Sequence, residues 1–237
     1  MPTFEEVYAS HADAYDALIE REDHEGNLLA ALRQIVPALA ASPPSLDVVE
    51  FGAGTGRLTR LLAPYTQTLR AFDASAHMLE VARAHMTRMG AYHVRLDVAD
   101  NAAIPLPDAS ADLTIEGWSF GHQTAWAADW RVSVAAALRE MDRLLRPGGI
   151  AVLMETMTTG SRIPSPPNAA LADLYAWWEH EHGFRRIDVR TDYQFASLDE
   201  AERLTRFFFG DQMGDAVRAA GSVIVPECTG IWWRSKT

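Results

Sequence analysis

The segment VVEFGAGTGRLTRLL at 48–62 constrains the fold more than any other: an apolar strand runs into Gly52, Gly54 and Gly56 and then directly into an amphipathic helix. Glycines there allow a turn at positive φ and let a ligand approach bare backbone, while the new helix offers amides without partners. The pattern continues along the chain. LDVVEF precedes a helix at about 56–63, TLRAFD a helix at about 76–89, and YHVRLD and ADLTIEG a helix at about 131–145 that leads into IAVLMETM. Apolar strands alternating with amphipathic helices imply right-handed βαβ units, and so an α/β fold with an open, doubly wound parallel sheet covered on both faces.

Pro/Ser breaks at 41–45 and 161–167 punctuate the 237 residues. Before the first, Leu28, Leu29, Leu32, Ile35 and Val36 recur at helical spacing, with Pro37 as a kink or end. The glycines of RLLRPGG, Gly148 and Gly149, are expected to end the helix before them with a left-handed cap. After the second break, NAALADLYAWWEHEHG reads as a helix, RRIDVRTDYQF as a strand, and SLDEAERLTRFFFGDQMGDAVRAAG as one long or broken helix opened by a Ser197/Glu200 capping box. IVPECTGIWWRS closes the chain as a strand. The whole is expected to be a single domain over 1–237: helices at 1–45, a ligand-binding core at 46–156, a cap or lid insertion at 157–185 and the rest of the sheet at 186–237.

Charge and cysteine content exclude several functions. Acidic residues outnumber basic ones 32 to 21, for a net charge of −11, and Lys236 is the only lysine, so a nucleic-acid partner is not expected. One cysteine, Cys228, rules out an internal disulfide framework and cysteine-based metal sites. The amino terminus is acidic, with neither the basic start nor the apolar stretch of a secretory signal, and no run of 18 apolar residues occurs, so a cytoplasmic protein without a membrane partner is expected.

Spacing selects among ligands. A dinucleotide fingerprint needs its third glycine at 57, where Arg57 stands. Glu50 places a carboxylate at the strand end, which favours a cationic ligand group over a pyrophosphate. Asp73, at the tip of the next strand, can accept hydrogen bonds from both hydroxyls of a ribose, although it could also simply favour the dipole of the helix that follows.

Glu50 to Gly56, DASAHML from Asp73, DNAAIPLPDASAD from Asp100 and RLLRPGG from Arg143 follow one another in an order that resembles class I S-adenosylmethionine-dependent methyltransferases. Within them, the chain is most similar to ubiquinone/menaquinone-biosynthesis enzymes and other small-molecule methyltransferases. The resemblance is firm over about 46–156. It implies a Rossmann-like, mostly parallel seven-stranded sheet with an N-terminal helical preface and a helical cap insertion. S-adenosylmethionine is the implied cofactor and S-adenosylhomocysteine the product, with no metal expected. By the same resemblance Gly52, Ala53, Gly54 and Gly56 shape the pocket, with Glu50 near the methionine end. Asp73, with Ala74 beside it, holds the ribose diol. Met78 packs on adenine, Asp100 meets its exocyclic amine and Asn101 approaches the ring. Glu116, Gly117 and Trp118 sit beside the sulfonium, and Tyr15 closes over the cofactor. The fourth strand ends in EGWSFGH, without the motif of enzymes that methylate base amino groups.

Methyl transfer from a sulfonium needs alignment of the reactants and exclusion of water, and a base only when the acceptor must lose a proton. His122, just past the fourth strand on the rim where open α/β sheets bind ligands, is the candidate base, with His11, His180 and His182 as alternatives. Trp177, Trp178, Phe207 to Phe209, Trp232 and Trp233 line either a core or an aromatic acceptor pocket. Trp232 and Trp233 must point to opposite faces of their strand. The competing functions are a nicotinamide-dependent oxidoreductase on the same kind of sheet and a cofactor-binding protein without turnover.

Overall fold

The structure, a computed structural model, describes residues 11–237. Of the 1–45 preface, 1–10 lie outside the described residues; the remainder forms helices α1 (Ala12–Ile19) and α2 (Asn27–Ile35), and Pro37 begins a short 3₁₀ turn. The core then runs β1 (Asp47–Phe51), α3 (Arg57–Leu62), β2 (Thr68–Asp73), α4 (Ala76–Met89), β3 (Val94–Val98) and β4 (Ala111–Gly117). It continues through α5 (Gln123–Trp126), α6 (Trp130–Leu144), β5 (Leu145–Thr159) and α7 (Ala169–His180). The last part holds β6 (Arg185–Arg190), β7 (Tyr193–Gln194), α8 (Leu198–Phe209), α9 (Asp211–Ala220), β8 (Ile224–Val225) and β9 (Glu227–Ser235).

Seven strands pair in the order β3-β2-β1-β4-β5-β9-β6, and only β9 runs against the rest. The doubly wound, mostly parallel seven-stranded sheet is therefore present. Period-two alternation sorts its side chains into two cores. Val49, Phe51, Leu153 and Trp232 face α6 and α7, while Val48, Ile115, Val152 and Ile231 face the other layer. Trp232 is fully buried on the first side and Trp233 packs on the second, as adjacent strand residues must.

Several segments differ from their expected form. α6 ends at Leu144, and Leu145 is already extended and paired with Ala111, so Gly148 does not cap the helix. Gly148, at φ +81°, instead lets β5 bulge, and its amide bonds the Lys236 carbonyl. Lys236 Nζ donates to the carbonyls of Asp142 and Leu145 at 2.7 and 2.8 Å, so the only lysine caps α6. The strand expected at 185–195 splits into β6 and β7, the closing strand splits at Pro226, and the long helix breaks at Gly210. β7 and β8 form a small ribbon whose Tyr193, Phe195 and Val225 pack with Leu18, Leu204, Phe208 and Phe209.

Residues 157–185, expected as a cap, lie differently. Leu174, Tyr175 and Trp178 of α7 are fully buried against Trp232, so α7 is a flanking layer of the sheet. No helix among the described residues is long and apolar enough to cross a membrane.

Candidate active site

In an open α/β sheet ligands bind where the strand order reverses, beyond the carboxyl ends of the strands. Here that point lies between β1 and β4, and it opens a cavity of about 400 Å³. The glycine turn forms its floor. Gly52 and Gly54 have φ of +64° and +55°, and a Cβ on Gly52 would stand 2.2 Å from Ser119 Oγ. Asp73 is aimed across this turn: its Oδ2 accepts the Gly54 amide at 2.8 Å and its Oδ1 the Ser75 amide at 2.7 Å. The dipole of α4 is served by its own cap, since Ser75 Oγ accepts the Met78 amide. Asp73 thus keeps lone pairs for a ligand. Burial raises its pKa, and the two amides oppose that rise.

Glu50 lies beneath the turn, 2% exposed, with Oε2 accepting the Thr59 hydroxyl at 2.7 Å. Burial drives its pKa up to about 8, so this carboxyl is largely neutral at pH 7. Arg57, first residue of α3, pairs with Glu22 at 2.8 Å and sits over the Trp118 ring, its Cζ 3.6 Å from the centroid. Trp118 itself has φ +55°, a conformation that bulky residues rarely adopt and that clusters at functional sites.

The other wall is the start of α5. His122 stacks on Trp126 with ring centroids 4.7 Å apart, and both line the cavity with Gln123. Burial pushes the His122 pKa down to about 4, against the pull of the Trp118 carbonyl, so the imidazole is neutral at pH 7. Tyr15 and Ile19 of α1 close the remaining side. A buried latch places them: His85 Nε2 meets Asp16 Oδ2 at 2.6 Å, and Arg60 reaches Asp16 and Glu20. Asp16, Glu20 and His85 are close enough together to ligate a metal, but Arg60 already supplies the cation among them.

Of the residues proposed from sequence, Tyr15, Glu50, Gly52, Ala53, Gly54, Asp73, Ala74, Met78, Asn101, Gly117, Trp118 and His122 line this cavity. Three do not. Gly56 shapes the start of α3, backed by Ala82. Asp100 is exposed and accepts the Ala102 amide. Glu116, fully buried, points to the opposite face of the sheet, because it shares a face with its register partner Phe51. Ile19, Thr55, Arg57, Leu58, Ser75, Ser119, Gln123 and Trp126 line it without having been proposed. The position of Arg57, one residue beyond the last glycine, was the available signal for it. His11 packs on Phe207 and His182 on Trp177, away from the lining, and His180 ends α7.

These shifts set a pH dependence of stability. Glu50 and Glu155 rise from 4.5 to about 8 on folding, so the stability they favour is complete below pH 4.5 and is lost as pH rises through 8. His122 falls from 6.5 to about 4, which adds stability as pH rises across that interval and opposes the carboxyls there. Between pH 6.5 and 8 only the falling contribution remains among these three. Tm is expected to drop across that window, each carboxyl removing up to about 1.4 kcal/mol per pH unit, and then to level off. Calorimetric scans of wild type and Glu50→Gln should show a shallower slope in the variant; equal slopes would refute the assignment.

The fold is a Rossmann-like, doubly wound α/β domain with an open cavity at the switch point of its sheet. Residues 49–153 match the methyltransferase domain family. A malonyl-[acyl-carrier protein] O-methyltransferase from Serratia marcescens is 28% identical over 183 residues, 77% of this chain and 60% of that protein. A ubiquinone/menaquinone biosynthesis C-methyltransferase from Rubrivivax gelatinosus is 36% identical over 121 residues, 51% of this chain and 43% of that one. The chain thus spans less than two thirds of these relatives' length. A solved S-adenosylmethionine-dependent methyltransferase from Aquifex aeolicus shares the fold, with a TM-score of 0.52 at 14% identity over 85% of this chain and 87% of that one. Residues 49–153 are thus similar to the methyltransferase domain family, and the chain shares the fold of solved S-adenosylmethionine-dependent methyltransferases.

Proposed function

We propose that this protein is an enzyme that moves a methyl group from S-adenosylmethionine to a small-molecule acceptor. The observation that carries the reading is Asp73, a carboxylate fixed by the Gly54 and Ser75 amides over a left-handed glycine turn at the switch point of the sheet. Such a group suits a ribose diol, and the residues around it fit the remainder of the cofactor. Met78 and Asn101 offer an apolar and a polar contact for the base, while Glu50, Arg57 and Tyr15 surround the end that would take the amino-acid tail. When bound, the sulfonium supplies an activated methyl that needs no metal to become electrophilic.

The chain's own contribution is alignment and dryness. Tyr15 and Ile19 cover the cavity from α1, held there by the Asp16–His85 latch. Trp118 and Trp126 offer aromatic faces to an acceptor, and His122, stacked on Trp126, is held neutral and able to accept a hydrogen bond or a proton. A base of such low pKa is a weak proton acceptor, so His122 orients more than it deprotonates. That suits an acceptor whose attacking atom is already largely unprotonated.

Calorimetry with S-adenosylhomocysteine tests the cofactor, and transfer of radiolabelled methyl to a panel of phenols, carboxylic acids and amines tests the acceptor. His122→Ala is expected to lower turnover about tenfold or more while changing S-adenosylhomocysteine affinity less than about threefold. NADH binding in place of S-adenosylhomocysteine would overturn the cofactor reading. Binding with no transfer to any acceptor would leave a protein that holds the cofactor without turnover.

A further inference from the structure

On the sheet face away from α3, two buried glutamates take no part in the cavity lining: Glu116 at the end of β4, 0% exposed, and Glu155 on β5, 6% exposed. The register places them on the same face of neighbouring strands, since Glu116 pairs with Leu153 and Glu155 lies two residues further on. Between them they receive three consecutive amides of one loop. Glu116 Oε2 accepts from Ser119 at 3.2 Å and Phe120 at 3.3 Å, and Glu155 Oε1 from Gly121 at 2.6 Å. That loop begins at Trp118 and ends at His122, both of which line the cavity. It has little slack: a Cβ on Gly121 would stand 2.7 Å from Glu155 Oε1.

The remaining oxygen, Glu116 Oε1, is fully buried and has no hydrogen-bond partner among the described residues. No ion pair among the described residues includes either glutamate. The titratable group facing both from α7 is Tyr175, whose hydroxyl donates to the Thr156 carbonyl instead. Arg186 on β6 and Glu227 on β9 are the further charged groups facing Tyr175. Two carboxylate charges in one dry site, with only neutral amides and no cation paired to them among the described residues, are strongly unfavourable. One proton between the two removes a charge and gives Glu116 Oε1 its missing donor.

We propose that Glu116 and Glu155 form a single acid–carboxylate unit that shares one proton and positions the 118–122 loop against the cavity. They are positioning residues, acting through Trp118, Ser119 and His122. Burial and the neighbouring carboxyl raise Glu116, and burial raises Glu155 to about 8, in keeping with one retained proton at neutral pH; that proton belongs to the pair. Loss of it takes the unit from one negative charge to two, so the pair repels and the loop leaves its pose as pH rises.

This rests on the cavity being the cofactor site only for its second readout. The first is a titration of the full chain carrying ¹³C-carboxyl glutamate. Glu116 and Glu155 are expected to titrate together in two well-separated steps, and in Glu155→Gln the remaining Glu116 in one step at lower pH. Unchanged Glu116 behaviour in that variant, or two independent ordinary titrations in wild type, would overturn the proposal. The second is S-adenosylhomocysteine affinity from pH 6.5 to 9.5. It should fall about tenfold in wild type as the second proton leaves and stay level in Glu155→Gln, whose amide can donate to Glu116. Glu155→Ala should weaken binding about tenfold at every pH, whereas the glutamine variant stays within about threefold of wild type at pH 7. A wild-type pH profile in Glu155→Gln would count against the unit even if the alanine variant failed to fold. Absence of any S-adenosylhomocysteine binding by wild type would strike the cofactor reading and leave the carboxyl titration intact.

Discussion

Gly52→Val is expected to abolish measurable S-adenosylhomocysteine binding and to lower Tm by about 6–12 °C. Two costs add. A branched residue at φ +64° enters a conformation that costs about 1–3 kcal/mol. Its Cβ would also lie 2.2 Å from Ser119 Oγ and 2.4 Å from Ser119 Cβ, a contact that neither atom can tolerate. Relief requires the 118–122 loop to move, yet its amides are held from below by Glu116 and Glu155. Together the penalties reach about 3 kcal/mol or more, and any side chain that fits does so by filling the floor of the cavity. Thermal unfolding and calorimetry on the same variant measure both effects. A Gly52→Val protein that bound S-adenosylhomocysteine within threefold of wild type would show that this turn does not face the ligand.

Asp73→Ala separates binding from stability in the opposite way. Its carboxylate accepts two backbone amides at 2.8 and 2.7 Å, and in the proposed function also two ribose hydroxyls. Charge-assisted hydrogen bonds contribute about 1.5–3 kcal/mol each, so losing those to the ribose lowers affinity at least about a hundredfold. The freed amides border the cavity and can turn to water, so the loss of stability should stay near about 1 kcal/mol. Asp73→Asn keeps acceptor oxygen but no charge and should fall between the two. Calorimetric titration of the three proteins with S-adenosylhomocysteine gives the order directly. Equal affinity for wild type and Asp73→Ala would remove the main support for a nucleoside ligand.

The strand and helix order of 46–156 was legible because each strand there is a short apolar run bounded by turn residues. The glycine turn and Asp73 were legible for a related reason, since their chemistry depends on backbone geometry that few residue types permit. Glu116 points away from the cavity lining for a reason a motif does not carry: a motif reports position along a strand, whereas the face of the sheet follows from register with Phe51, which only the folded sheet defines. The 157–185 segment was expected as a cap because its aromatic helix has no sequence mark for what it covers. Trp178 and Tyr175 meet Trp232, over 50 residues away, in the folded sheet. A cap at Gly148 follows from local sequence alone, whereas Lys236, which takes the role, is far along the chain. The α5 wall of the cavity stayed hidden for a local reason: the left-handed Trp118 turn redirects the chain so that His122, Gln123 and Trp126 converge.

The sheet order has a consequence for association. Its two outermost strands, β3 and β6, each have one edge to which no other strand pairs among the described residues, and which another strand could extend. β3 carries Arg95 and Asp97, and β6 carries Arg185, Arg186, Asp188 and Arg190. Bringing a second copy edge to edge would partly desolvate these charged side chains. The two borders thereby carry the charged side chains with which sheet edges resist strand addition.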